Sequence, residues 1–297
     1  GKRTMFSFCT DPSSLPDWQW FACYLTTATH FALYRSVLVV LLLLALAAPL
    51  ALALGFLGAL AMRSGLAVLR GIGMLYVSMV RGVPDIIFFL FVPFAIDQAV
   101  EYVLHKIRCP DWDQPIRRGN DFVVCAEAKF PLATSAAWQH DIWGFTLALI
   151  AFALVFGAFA ANTLHGAMAA VPRAQLETAE AYGMSPGQTF RRVLMPQMWI
   201  YALPGLSNLW MILTKATPLL FLLGIQDIVY WARELGGQKT GLFAYPHPDW
   251  RVWYFLGVLV FYLTLTAVSQ RFFDWLMLRL SHGQATSGGE RLRRAQA

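Results

Sequence analysis

Long uncharged apolar runs, parted by short polar stretches, set the rhythm of this chain. Val37 to Met62 holds 26 residues without a charge, where a membrane span needs about 20, and Pro49 inside it predicts a kink. Arg63 and Arg70 mark a basic turn. A second apolar stretch follows from Gly71 to Leu104, broken by Arg81, Gly82, Pro84 and Asp85. Each half is short of the bilayer thickness, so it reads as one long span bent at Pro84; two half-spans re-entering from one side is the other reading. Residues 105–141 are polar, carry Pro110, Pro115, Gly119 and Pro131, and read as a loop. Further spans are expected at Ile142 to Ala170, Met198 to Gln226 and Val252 to Gln270. The pattern predicts an all-α polytopic membrane protein of about five transmembrane helices.

Ahead of the first span, Trp18, Trp20, Phe21 and Tyr24 read as an interfacial aromatic belt. Three segments are expected: an outer-face N-terminal segment at 1–28, a transmembrane domain at 29–280, and a disordered Gly-, Ser- and Arg-rich tail at 281–297. No internal repeat is evident, and no short apolar segment with a small-residue cleavage site precedes the first span, so no cleaved signal is expected. Composition agrees: 58% hydrophobic and 13% charged residues, with mean hydropathy +0.53, exclude an ordinary soluble domain. The net charge of +6 is spread over loops and tail without aromatic interleaving, which argues against nucleic acid.

One polar interruption is built differently from the others. Pro172 suits a first helical turn, Glu177 and Glu180 lie three apart on one face, and Gly183 supplies the left-handed residue that closes a helix. Ser185 then caps a second short helix, with Pro186 at its first position and Gln188 completing the Ser-x-x-Gln pattern. Arg191 and Arg192 fall near its C-terminal end, where cations suit the dipole. Two short helices with an exposed elbow are expected between Pro172 and Pro196.

Glu177-Thr178-Ala179, then Gly183, then Leu194 to Gln197 as LMPQ resembles the EAA loop of binding-protein-dependent ABC importer permeases. Arg81-Gly82-Val83-Pro84 resembles the RGTP segment of the polar amino-acid (histidine, glutamine, arginine, opine) permeases, and Lys215-Ala216-Thr217-Pro218-Leu219 resembles their KDTSL. The resemblance covers roughly residues 30 to 235. It implies a type I ABC importer-like permease subunit of a bacterial inner membrane, moving a polar, even basic, amino acid. Its implied partners are ABC ATPase subunits inside, a second permease subunit in a homo- or heterodimer, a periplasmic substrate-binding protein and membrane lipid. ATP and magnesium are then expected on the partner ATPase, with no cofactor on this chain. Gly236-Gly237-Gln238-Lys239-Thr240, the nearest imitation of a phosphate loop, lacks its required glycines.

The resemblance implies a coupling role for Glu177, Thr178, Ala179, Glu180 and Gly183. A pathway or gate role is expected for Arg81, Asp85, Asn162, His165, Asn208, Lys215 and Thr217. Lys215 is the costliest of these, since an ammonium mid-span costs roughly 2.5–3.5 kcal/mol to insert. It needs a carboxylate such as Asp85, Asp97 or Glu101, free carbonyls near Pro218, or a route by which to snorkel. Arg81 and Asp85 can equally pair with each other, and Asn162, Asn208 and Thr217 can equally serve helix-to-helix hydrogen bonding. Where the family shows an acidic and then a basic residue before Gly166, this chain has Asn162 and His165. Ala174, Ala216 and Pro218 depart from the family as well, which leaves the substrate open.

No catalytic set emerges: the six histidines are scattered, without HExxH or cysteines at metal spacing, and Ser78 with His165 is the loosest of nucleophile pairs. A stand-alone secondary transporter or channel for a small polar solute is the rival reading, and it leaves the elbow unexplained. Basic residues balance across the two sides, so they do not orient the chain. With the elbow in the cytoplasm, Cys9, Cys23, Cys109 and Cys125 all fall on the outer face, where disulfides persist. Three pairings are open; a Cys109–Cys125 bridge closing the long loop is the one expected. Thiol titration before and after reduction tests it: four reactive thiols in the unreduced protein would overturn the bridge.

Overall fold

The computed structural model describes residues 8–9, 12–114, 116–118 and 121–281. Residues 1–7 and the tail from 282, including the stretch expected to be disordered, lie outside the described residues. Helix α1 (Asp17–Leu25) precedes α2 (Ala28–Arg63), α3 (Ala67–Gly82) and α4 (Asp85–Arg108). A loop with a two-residue antiparallel ladder, Arg117 opposite Phe122 and Arg118 opposite Asp121, leads to α5 (Ala137–Ala170). Then come α6 (Arg173–Ala181), α7 (Pro186–Thr189), α8 (Met195–Ala216), α9 (Ile228–Gly236) and α10 (Arg251–Leu280). Five stretches are long and apolar enough to cross a membrane: α2, α4, α5, the continuous run Pro186–Leu223, and α10. The fold is all-α with five membrane helices.

Three boundaries differ from the sequence reading, each for a local reason. The stretch read as one bent span is two helices, because Val83 and Pro84 are both extended; proline drives the residue before it out of the helical region. Of the two, only α4 is long enough to span. The second short helix of the elbow is not separate: it passes through a π turn, Phe190–Leu194, directly into α8. Pro196 has no N–H for the carbonyl four residues back and would crowd it, and a widened turn just ahead of it lets the helix continue. At the far end α8 stops at Ala216 and tightens into a 3₁₀ turn, Thr217–Leu223, closed by Gly224 at φ 76°. The last helix runs ten residues past Gln270, since the charges that end the apolar run do not end the helix; Arg279 lies over the Trp275 ring there.

The described residues pack as two compact units. In the unit formed by Leu46–Leu213 with the segment from Ser269, α5 is the central element: Ala148, Ala151, Phe152, Val155, Ala158, Ala161 and Leu164 are fully buried. Small residues bring its neighbours close. A Cβ on Gly55 would lie 2.6 Å from that of Ala160, one on Gly157 2.9 Å from Leu54 and from the Tyr76 hydroxyl, and one on Gly205 2.5 Å from Thr163. Tyr76 of α3 donates its hydroxyl to the Leu154 carbonyl at 2.5 Å. Along α4, Phe89 meets Phe152 at 4.5 Å and Asp97 accepts from the Trp143 indole at 2.8 Å. Position rises on α4 as it falls on α5, so the two run antiparallel.

The loop after α4 is folded onto that helix. Cys109 and Cys125 are bonded, His105 accepts the Cys125 N–H at 3.1 Å, and Lys129 pairs with buried Glu101 at 2.9 Å. In the other unit, residues up to Ala45 with Thr214–Val268, Cys9 and Cys23 form a second disulfide. Trp20 of α1 stands edge-on to Tyr245 and Trp250, and Phe21 stacks on Trp250. The aromatic set read as one belt is therefore divided: Trp18 and Phe21 stay exposed while Tyr24 is buried.

Overpacking distinguishes the glycines. Gly205→Val is expected to cost about 1–3 kcal/mol, whereas Gly144→Ala, with nothing within 4 Å of the added carbon, should stay within about 0.5 kcal/mol of wild type. Thermal unfolding in detergent measures both.

Candidate functional site

The elbow is a handle rooted in the helix core. At the end of α6, Met184 N–H reaches the Ala179 carbonyl at 3.1 Å and Gly183 N–H the Glu180 carbonyl at 2.9 Å, a Schellman closure that needs the left-handed φ of 85° found at Gly183. Gln188 Oε1 accepts the Ser185 N–H at 3.0 Å and Pro186 takes the first position of α7, so the next helix starts at once. Underneath, Leu176, Phe190 and Val171 pack on a cluster that includes Ala59 of α2, Leu164 and Met168 of α5, and Met198 of α8. Ala179 is buried on the same side. The elbow cannot tilt without carrying three long helices, because a close-packed cluster transmits displacement.

Its outer side is charged. Glu177, Glu180, Arg173, Arg191 and Arg192 are all exposed, and none has an ion pair within 4.0 Å among the described residues. Thr178 is exposed too, but its hydroxyl donates to the Ala174 carbonyl of its own helix at 2.6 Å. The residue that sequence reasoning passed over is Tyr182, at the tip and 86% exposed. An aromatic just before the left-handed glycine of an exposed elbow was the available signal.

The expected pathway residues are not all alike. On α5, Asn162 and His165 are half-buried and flank Thr163, which touches Gly205 of α8; Asn208, one turn further along α8, is exposed. The contact of Thr163 with Gly205 marks a seam between the two helices. Arg81 and Asp85 do not pair with each other among the described residues, and the break at Val83–Pro84 assigns them to different helices. Arg81 sits in the last turn of α3 and Asp85 in the first turn of α4, where each suits its own helix end.

In the other unit, Lys215 is exposed in the last turn of α8, within the membrane-length stretch Pro186–Leu223. Of the carboxylates considered for it, Asp97 and Glu101 are engaged with Trp143 and Lys129. Thr217 is fully buried: it donates to the Thr214 carbonyl at 2.9 Å and meets the Tyr262 hydroxyl at 2.8 Å. It ties the 3₁₀ turn to α10. His105 lies within 4.8 Å of Cys109 and Cys125, but sulfurs bonded to each other have no thiolate to offer a metal.

The family described as "Binding-protein-dependent transport system inner membrane component" matches residues 51–282, which takes in the elbow, its root and the α5–α8 seam. The chain belongs to this family. It is 32% identical over 209 residues to the histidine/lysine/arginine/ornithine transport system permease protein HisQ of Salmonella typhimurium, covering 70% of this chain and 75% of that one. It is 29% identical over 208 residues to the arginine ABC transporter permease protein ArtQ of Escherichia coli, covering 70% and 77%. The crystal structure of an amino acid ABC transporter with histidines matches at TM-score 0.59 and 18% identity, over 86% of this chain and 98% of that one. A MetNI methionine ABC transporter structure matches at TM-score 0.56 and 16% identity, over 84% and 97%. These two likenesses concern the fold. The protein is thus a multi-pass membrane permease subunit.

Asp227, which caps α9 in this permease, carries a testable charge. One carboxylate oxygen accepts the Tyr230 N–H at 2.9 Å; the other is buried with no partner. Burial pushes the carboxyl above its ordinary range, against backbone N–H groups of Tyr230 and Val229 that pull it down. The native state then holds this proton more tightly than the unfolded chain. Its contribution to stability is full below the ordinary carboxylate value and is lost as pH rises through the raised one. Asp227→Asn, which keeps the cap acceptor, is expected to unfold at a higher temperature than wild type at pH 7.5. The gap should close at about pH 3, below the ordinary aspartate value.

Proposed function

We propose that this permease carries a polar amino acid, of the basic class named for its relatives, across a bacterial inner membrane. ATP and magnesium are held by separate ATPase subunits that dock on the elbow. A second permease subunit completes the path, and a periplasmic binding protein delivers the substrate. The observation that carries this reading is the elbow's construction: a charged outer side and an exposed aromatic tip, on a root packed into α2, α5 and α8.

Movement of a docked ATPase displaces the root as a rigid piece, and the α5 and α8 helices above it shift with it. Asn162 and His165 lie on the first of those helices and Asn208 on the second. Their polar side chains suit hydrogen bonding to a substrate's own charges. Arg81, Asp85, Lys215 and Thr217 serve at helix ends: Thr217 as a structural tie, and the three charged residues as candidates for a gate.

Co-reconstitution with the ATPase tests the docking. Gly183→Val meets no neighbour, yet the left-handed backbone costs a β-branched residue about 1–2 kcal/mol, so the elbow should reshape. Transport and ATPase association are expected to fall at least tenfold. Tyr182→Ala removes only an exposed tip; if the ring is an interface anchor, truncation costs more than about 1 kcal/mol of association, with unfolding unchanged. Normal ATPase binding and ATP-driven transport in both variants would overturn the docking. Uptake by the purified chain alone, driven by an ion gradient, would favour a secondary transporter.

A further inference from the structure

Two histidines far apart in sequence are joined through two tyrosines in the unit that holds α1. Thr27 Oγ1 lies 2.7 Å from His30 Nδ1, and His30 Nε2 lies 2.7 Å from the Tyr254 hydroxyl. That hydroxyl is 2.9 Å from Tyr24's, which is 3.2 Å from His247 Nε2. His247 Nδ1 ends the chain 2.7 Å from the Pro248 carbonyl. His30 and His247 are both buried. The chain links α1, α2, the segment before α10, and α10 itself.

Proton counting fixes its direction. The Pro248 carbonyl can only accept, so neutral His247 carries its hydrogen on Nδ1 and accepts at Nε2 from Tyr24. Tyr24 then accepts from Tyr254, Tyr254 from His30 Nε2, and His30 Nδ1 from Thr27. Every contact receives one hydrogen and none is spare. Burial pushes the Tyr24 hydroxyl above its ordinary value, so it remains a donor at neutral pH.

A first added proton fits. The ring of His247 stacks on Trp250 at 4.3 Å, a face that favours a cation. Asp249 lies nearby, its carboxyl held down to about 2 by hydrogen bonds from Arg251, and so stays negative. With His247 charged, its Nδ1 still donates to the Pro248 carbonyl, every donor from His247 Nε2 to His30 Nδ1 reverses, and Thr27 turns its hydrogen to Thr29 Oγ1, 3.0 Å away. A second proton, on His30, makes both imidazoles double donors toward the tyrosine pair. Only one tyrosine hydrogen then fits between the two oxygens. The other is left without an acceptor, with two positive charges at the ends of one short chain.

We propose that this His30–Tyr254–Tyr24–His247 chain is a proton-binding site: it holds α1 when empty or singly loaded, and lets go when a second proton arrives. The remaining titratable and charged groups around it are few. Tyr34 of α2 donates to the Leu25 carbonyl at 3.0 Å. Lys239, whose backbone pairs with that of His247, is engaged with Glu234 of α9 at 3.1 Å. Tyr245 borders Tyr24, and Arg251 of α10 is paired with Asp249.

Hydrogen–deuterium exchange of the α1 amides in the full chain, in nanodiscs, tests the proposal. After correction for intrinsic rates, protection should be equal at pH 8 and pH 7 and fall at least tenfold by pH 5. His247→Gln keeps an acceptor for Tyr24 but takes no proton, so α1 should stay protected at pH 5. Tyr254→Phe cuts the chain and should leave α1 exchanging fast at pH 8. Equal wild-type protection at pH 8 and pH 5 would overturn the proposal, as would acid release in His247→Gln matching wild type. Should the Gln variant fail to fold, Tyr254→Phe decides alone: wild-type protection in it at pH 8 refutes the site.

Discussion

Inside a bilayer a helix gains little by hiding apolar surface against another helix, because lipid is as apolar as leucine; close packing and hydrogen bonds must hold the helices together instead. The small residues of α5 meet that constraint. Gly157, Ala160 and Ala161 face Leu54, Gly55 and Gly58 of α2 at distances that leave no room for another carbon. Tyr76 adds a hydrogen bond to an α5 carbonyl, and Trp143 adds one to Asp97 of α4. Without these approaches the long helices would be independent spans.

The same packing gives the elbow its mechanical meaning. A surface loop that touched only its own flanking residues would bend under load. Leu176 and Phe190 instead rest on a cluster shared with α2, α5 and α8, and the π turn makes α7 and α8 one continuous rod. A displacement of the elbow is therefore transmitted to α2, α5 and α8. A separate short second helix, as the capping pattern suggested, would have put a joint where the structure has none.

In the segments outside the long helices, covalent and polar ties add to the packing. The loop after α4 is stapled by Cys109–Cys125 and by Lys129–Glu101, and α1 is held by Cys9–Cys23 and by the histidine–tyrosine chain. Each of these segments has a disulfide as well as apolar packing of its own.

What could be read from the chain itself followed from local rules. Long apolar runs located the five spans because bilayer thickness sets helix length. Gly183, Ser185, Pro186 and Gln188 announced the elbow because capping acts within a few residues. Whatever needed distant partners was settled only in three dimensions. The break at Pro84 could be read either way until neighbouring contacts were known. Hydropathy did not show that the helix gives way to a 3₁₀ turn just after Lys215. The histidines looked scattered because His30 and His247 sit more than two hundred residues apart, and a hydrogen bond depends on distance in space, to which sequence separation is no guide.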